Sequence, residues 1–292
     1  KGTNWVALDA LHSRDKNHIK PCMDMLVDLN CNMIRMWGGN VYEQDEFYDL
    51  CDQYGIMVWH DFMMGCTMYP QDEGFLRKIK EEAFKAISRI RHHPSLVLWA
   101  GNNENDVSLE WENDQPNIDP NNDIISRQLL PAMVRRLDPK TPYLPSSPYI
   151  SSEAFRLAGN RIDQDYAPEQ HLWGPRGYYK APYYTGNIAK FVSEIGYHGC
   201  PGRDSLEKMF DRDFVYPWTN KTDFIWNDQW QTKAVRSHPF ATETLKRNDL
   251  MINQIKCVFE EVPADLDRFI LASQIIQAEA KKYFIEFWRM HK

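Results

Sequence analysis

Short apolar runs separated by longer stretches of helical periodicity set the rhythm of this 292-residue chain. The runs at 4–8, 33–37, 56–59, 96–99, 142–144, 171–173 and 191–194 have the length and bulky apolar content of strands. Between them, 16–29, 45–54, 75–90 and 124–137 repeat apolar residues every three or four positions, as a helix burying one face does. Strand then helix, repeated, is the pattern of parallel strands joined by crossovers, and predicts an α/β fold.

The rhythm breaks in three places. Residues 174–190 lack helical spacing and are rich in Tyr, Gly and Pro, so they read as a long loop on the face where the strands end. Residues 203–240 are polar, aromatic and irregular, and read as an insertion over that face. At 266–290 the pattern is strongly helical, with Ile275, Ile276, Tyr283, Phe284, Phe287 and Trp288 forming its apolar face. Seven predicted strands are one short of a closed eight-stranded barrel, and the chain stops after that helix. The expected architecture is therefore a (β/α)8 TIM barrel truncated before strand eight. No repeat or low-complexity linker marks a second domain, so residues 1–292 are expected to be one barrel fragment.

Composition narrows the function. A net charge of −7 offers no basic stripe, which argues against a nucleic-acid partner. The sequence has no apolar run of about 18 residues, so no membrane span is expected. Lys1 begins without Met or a signal-like segment, so an excised piece is expected, with its compartment and oligomeric state unassigned. Six cysteines without a CxxC pair suggest neither zinc nor redox chemistry and are expected to be mostly buried thiols. No cofactor is implied and no metal ligand set is visible.

The candidate chemistry lies at two strand ends. The run at 96–99 leads into Ala100-Gly101-Asn102-Asn103-Glu104-Asn105, a carboxylate among amides that can bond sugar hydroxyls and deliver a proton. The run at 191–194 ends in Ser193-Glu194-Ile195-Gly196. Alone, each glutamate could be a solvated or salt-bridged residue. Together they suit a retaining glycosidase, whose two carboxyl groups stand about 5–5.5 Å apart. His60 and Asp61, ending the third run, are expected to support the site. The His92-His93 pair before Pro94 is expected to cap or pack. One of Tyr178, Tyr179, Tyr183 and Tyr184 could bond the nucleophile, and the sequence does not choose among them.

Three stretches, Arg35-Met36-Trp37-Gly38-Gly39, Gly101-Asn102-Asn103-Glu104 and Ser193-Glu194-Ile195-Gly196, resemble family 2 glycoside hydrolases, nearest the β-mannosidase branch. The opening Lys1-Gly2-Thr3-Asn4-Trp5 and the run Tyr54-Gly55-Ile56-Met57-Val58-Trp59-His60-Asp61-Phe62 resemble that branch's first and third strands. The resemblance implies a TIM barrel, flanking β-sandwich domains outside this chain, and hydrolysis of terminal β-linked sugars with retention. It makes Glu104 the acid/base and Glu194 the nucleophile. Asn103 becomes a ligand of the sugar hydroxyl next to the anomeric carbon, and Trp37 and Trp173 substrate contacts. Arg35 either keeps the nucleophile's surroundings positive or serves as an interior ion pair. The flank Pro175-Arg176-Gly177-Tyr178-Tyr179 departs from the mannosidase pattern, which leaves β-glucosaminidase, β-galactosidase or β-glucuronidase activity as alternatives. A carbohydrate-binding fragment without turnover is the alternative of a different class.

Overall fold

In the computed structural model, residues 1–110, 118–174, 176–234 and 247–291 are described. They divide into two compact units, 1–171 with 189–194 and 172–188 with 195–292.

The first unit is built on a parallel sheet of β1 (Gly2–Trp5), β2 (Met33–Met36), β3 (Met57–Asp61), β4 (Leu96–Ala100) and β5 (Tyr143–Leu144), in that order. Helices α1 (Ile19–Asp28), α2 (Asp45–Tyr54), α3 (Glu73–Ile90), α4 (Asn105–Ser108), α5 (Leu130–Leu137) and α6 (Ser152–Leu157) occupy the connections. A separate pair follows, β6 (Gln170–Leu172) with β7 (Val192–Ile195). Adjacent parallel neighbours with a helix in each crossover are what the alternating pattern predicts, and the sheet is α/β.

Buried residues explain the arrangement. Ile34, Met36 and Val58 from the sheet meet Ile19 and Met23 of α1, Phe47 and Tyr48 of α2, Ile87 and Ile90 of α3, and Leu130 and Val134 of α5 in one core. Each such aliphatic side chain contributes roughly 1.5–3 kcal/mol on burial. Local signals set the helix ends. Gly55, at φ +66°, closes α2 in the left-handed conformation that costs glycine little, and the Asp72 carboxylate accepts from the Gly74 and Phe75 amides to start α3.

Several boundaries differ from the sequence expectation. β1 lies at Gly2–Trp5 and not 4–8, because its register puts Asn4 beside Arg35 and Trp5 beside Met36. The first part of the helix expected at 124–137 is a π-helical turn, Ile125–Leu129, before α5. Of the cysteines, only Cys51 and Cys200 are buried, while Cys66 and Cys257 are exposed.

The second unit contains α7 (Pro182–Thr185), α8 (Arg203–Met209), the β8 (Trp218–Asn220) and β9 (Ile225–Trp226) hairpin, α9 (Asp228–Lys233), α10 (Arg247–Phe259) and α11 (Leu266–Met290). The stretch expected to be irregular is ordered by its aromatics. Trp218, Trp226 and Trp230 are buried with Phe269 of α11, and the Asn227 side chain accepts from Trp230 N–H to start α9. Residues 235–240 of that stretch lie outside the described residues. On α11, Phe269, Ile276, Ala280, Phe284 and Phe287 are buried, whereas Ile275 is exposed. Ile276 occupies the seam with Phe269 and Ala280 at helical spacing, which turns its neighbour outward. Among the described residues no helix is long and apolar enough to cross a membrane.

Candidate active site

The chain beyond β4 is held on both sides by backbone hydrogen bonds. Asn103 N–H donates to Met64 O at 2.9 Å, Cys66 N–H to Asn103 O at 2.8 Å, and Glu104 N–H to Ser147 O at 2.7 Å. Two glycines permit this closeness. A Cβ on Gly38 would stand 2.2 Å from Met64 O and 2.9 Å from Asn103 N, and one on Gly101 would stand 2.1 Å from Pro145 O. Glu104 itself adopts φ +61°, an uncommon conformation for a residue with a side chain, and opens α4. Asp106, two residues on, is pinned by both Arg127 Nη atoms at 2.6–2.7 Å and by Ile150 N–H at 2.9 Å.

Glu104 and Glu194 converge. One carboxylate oxygen of each, together with His171 Nδ1, all lie within 4.8 Å of one another. His171 Nδ1 is 2.8 Å from Glu104 Oε1 and 3.6 Å from Glu194 Oε2. Arg35 Nη1 donates to Glu194 Oε2 at 2.7 Å, while Nη2 donates to Asp61 Oδ2 at 2.7 Å and to Asn103 Oδ1 at 2.9 Å. The arginine thus bonds Glu194 and ties it to two other strand ends.

Asp61 is fully buried and also accepts from Trp59 Nε1 and Gly38 N–H. Burial pushes its carboxyl up to about 6, against the pull of Arg35. Burial takes His60 down to about 4, and its ring bonds Tyr48 Oη and Asp61 O. His171 is lowered to about 3 by burial and then by Arg35, against the opposing pull of Glu194, so its imidazole is neutral at physiological pH.

Asn103 is buried, with Oδ1 on Arg35 and Nδ2 donating to Cys66 Sγ at 3.3 Å. The amide carries a second hydrogen. Trp37, half-buried directly after β2, spreads its ring where a Cβ on Gly39 would stand, 2.2 Å away. Trp173 belongs to the second unit. There Arg176 lies 4.7 Å over its ring, and a Cβ on Gly196 would meet that ring at 2.3 Å. Tyr178, Tyr179, Tyr183 and Tyr184 also belong to the second unit, and Pro175 lies outside the described residues. His93 is buried and bonds Asp52 through Nδ1 at 2.7 Å.

Over nearly its whole length the chain is similar to β-mannosidases. The β-mannosidase of Bos taurus is 30% identical across 99% of this chain, and β-mannosidase B of Aspergillus niger is 29% identical across 99%. The crystal structure of the β-D-mannosidase from Dictyoglomus thermophilum matches 100% of the chain with a TM-score of 0.81 and 31% identity. The chain spans about a third of the length of each of these proteins. No protein-family model matches it. In sequence and in fold the chain is β-mannosidase-like.

Four participants were not picked out by sequence reasoning. His171 stands in the sequence only as the start of a strand, yet its ring joins both glutamates. Glu169 is buried beside it, Ser147 bonds it, and Cys66 Sγ donates to Glu104 Oε2 at 3.3 Å. A histidine opening the run at 171–173 and a glutamate two residues ahead of it are the available signal for two of them. Ser147 and Cys66 stand in loops without motif. Among the described residues, Glu104, His171 and Glu194, and likewise Asp49, Asp52 and His93, bring three potential metal-ligating atoms together.

Proposed function

We propose that this chain is the catalytic portion of a retaining β-glycosidase that hydrolyses terminal β-mannosides, with Glu104 as acid/base and Glu194 as nucleophile. The observation that carries this reading is the convergence of those two carboxylates within 4.8 Å, Glu194 on Arg35 and Glu104 on His171. That closeness suits direct attack on the anomeric carbon and leaves less room than the 6.5–9.5 Å that an interposed water requires in inverting enzymes, as a rough guide. Similarity to β-mannosidases over the whole chain supports the sugar. We read the sheet and the β6–β7 pair as seven strands of a (β/α)8 barrel spanning residues 1–292, with the site at the strand C-terminal ends.

In the first step Glu104 protonates the glycosidic oxygen while Glu194 attacks, through an oxocarbenium-like state, giving a glycosyl-enzyme. In the second, Glu104 takes a proton from water, which releases the sugar with its configuration retained. The second amide hydrogen of Asn103 serves the adjacent hydroxyl, and Trp37 supplies an apolar ring face. The experiment is Glu194→Ala in the intact protein. Turnover of an aryl β-mannoside is expected to vanish and to return partly with azide, giving the α-mannosyl azide. Wild-type rates without azide would refute the assignment.

A further inference from the structure

Glu169, directly before β6, plays no part in the reaction just described. It is buried, and the Ser193 hydroxyl donates to its Oε2. The same oxygen lies 3.3 Å from Ser147 Oγ and 3.9 Å from His171 Nε2, while Oε1 has no hydrogen-bond partner among the described residues. Ser147 Oγ is in turn 3.1 Å from His171 Nε2, and His171 Nδ1 is 2.8 Å from Glu104 Oε1. A continuous hydrogen-bonded path, Glu169 to Ser147 to His171 to Glu104, therefore runs from a buried carboxyl to the carboxyl assigned as acid/base.

The path has a direction set by proton counting. A neutral imidazole carries one N–H, on one nitrogen or the other, and a serine hydroxyl has one hydrogen to give. When Glu169 is ionised it takes the Ser147 hydrogen. Ser147 Oγ then has only lone pairs to offer His171, so the imidazole hydrogen sits on Nε2. Nδ1 is left as an acceptor, and the partner it favours is a protonated Glu104. When Glu169 is neutral the path reverses: Ser147 gives its hydrogen to Nε2, and Nδ1–H donates to an ionised Glu104.

We propose that Glu169 is a positioning residue for the acid role of Glu104, selecting through Ser147 the His171 tautomer that accepts the Glu104 proton. The inference rests on the functional reading above and adds a residue to it. Neighbouring charges fit. Glu169 is pushed up to about 7, first by burial and further by Asp61 on β3, against Ser193, Arg35 on β2 and Ser147. Among the described residues, the other titratable groups here are His171 on β6, itself neutral, then Glu104 beyond β4 at the end of the path and Glu194 on β7, 3.6 Å from His171 Nδ1. Glu169 thus ionises near neutrality.

Two variants of the intact protein test this. Glu169→Gln cannot ionise, and Ser147→Ala removes a single oxygen and cuts the path. With 15N-labelled histidine, wild type at about pH 8 should carry the His171 proton on Nε2, and both variants should shift it to Nδ1. For an alkyl β-mannoside, which needs the acid, kcat/KM should fall roughly tenfold or more, with the alkaline limb of its pH profile moved to lower pH. With a dinitrophenyl leaving group kcat should stay within about threefold, since such a group departs without a proton. One tautomer common to all three proteins, or equal losses on both substrates with an unmoved limb, would overturn the proposal. A tautomer switch in a protein that hydrolyses no aryl β-glycoside would support the hydrogen-bond path and contradict the functional reading instead.

Discussion

Arg35 Nη1 stands 2.7 Å from Glu194 Oε2, with 4% of the arginine and 9% of the glutamate side chain exposed. Such burial makes the pair costly to break on one side. Arg35→Met leaves Asp61 buried without its ion-pair partner and takes the Arg35 hydrogen bond from Glu194, an expected loss of roughly 3–5 kcal/mol in stability. Arg35→Lys keeps the charge and should recover much of that loss. A compact ammonium lacks the planar fork that reaches Glu194, Asp61 and Asn103 at once, so activity should stay down about a hundredfold. Urea melts and steady-state kinetics on the two variants separate the effects.

The close approach at Gly38 links packing to geometry. In Gly38→Ala the new Cβ would meet Met64 O at 2.2 Å and Asn103 N at 2.9 Å, both backbone atoms. Overpacking of this kind costs roughly 1–3 kcal/mol. Asn103 leads directly into Glu104, so kcat should fall more steeply than Tm suggests. A kcat equal to wild type would mean that the segment relaxes without moving the glutamate.

Glu169 predicts a pH dependence of stability. Burial raises its carboxyl from 4.5 to about 7, so folding favours the protonated form. The stabilisation is complete below the unfolded value and is lost as pH rises through about 7, a change on the order of 3 kcal/mol. Glu169→Gln lacks this loss. Its Tm relative to wild type should therefore move upward between about pH 5 and 8, and a constant difference across that range would contradict the raised Glu169 carboxyl.

Cys66 reports on the charge of Glu104. Its thiol is raised to about 12, first by burial and then by Glu104, so alkylation at neutral pH should be slow although the residue is exposed. Glu104→Gln removes the charge that Glu104 carries once it has lost its proton, so labelling of Cys66 should speed only in the pH range where Glu104 is ionised, measured by peptide mass spectrometry. An unchanged rate would show that burial alone controls the thiol.

Much of this was legible in the chain because strand, helix and strand-end residues leave local signals. Glu194 closes an apolar run and Glu104 follows one within a cluster of amides. The second layer was not legible. His171 meets Glu104 across 67 positions and Cys66 meets it across 38, and no periodicity reports which loop a side chain will face. The aromatic stretch after 203 misled for a related reason. Trp218, Trp226 and Trp230 look irregular in sequence and become a core only when α11 supplies Phe269.

The most direct test of the glutamate pair is covalent trapping of the intact protein with 2-deoxy-2-fluoro-β-mannosyl fluoride, followed by peptide mapping. The account predicts inactivation with one fluoromannosyl group on Glu194, and reactivation as that group is released. A label on another carboxylate, or turnover without any accumulated adduct and with an inverted product, would contradict it.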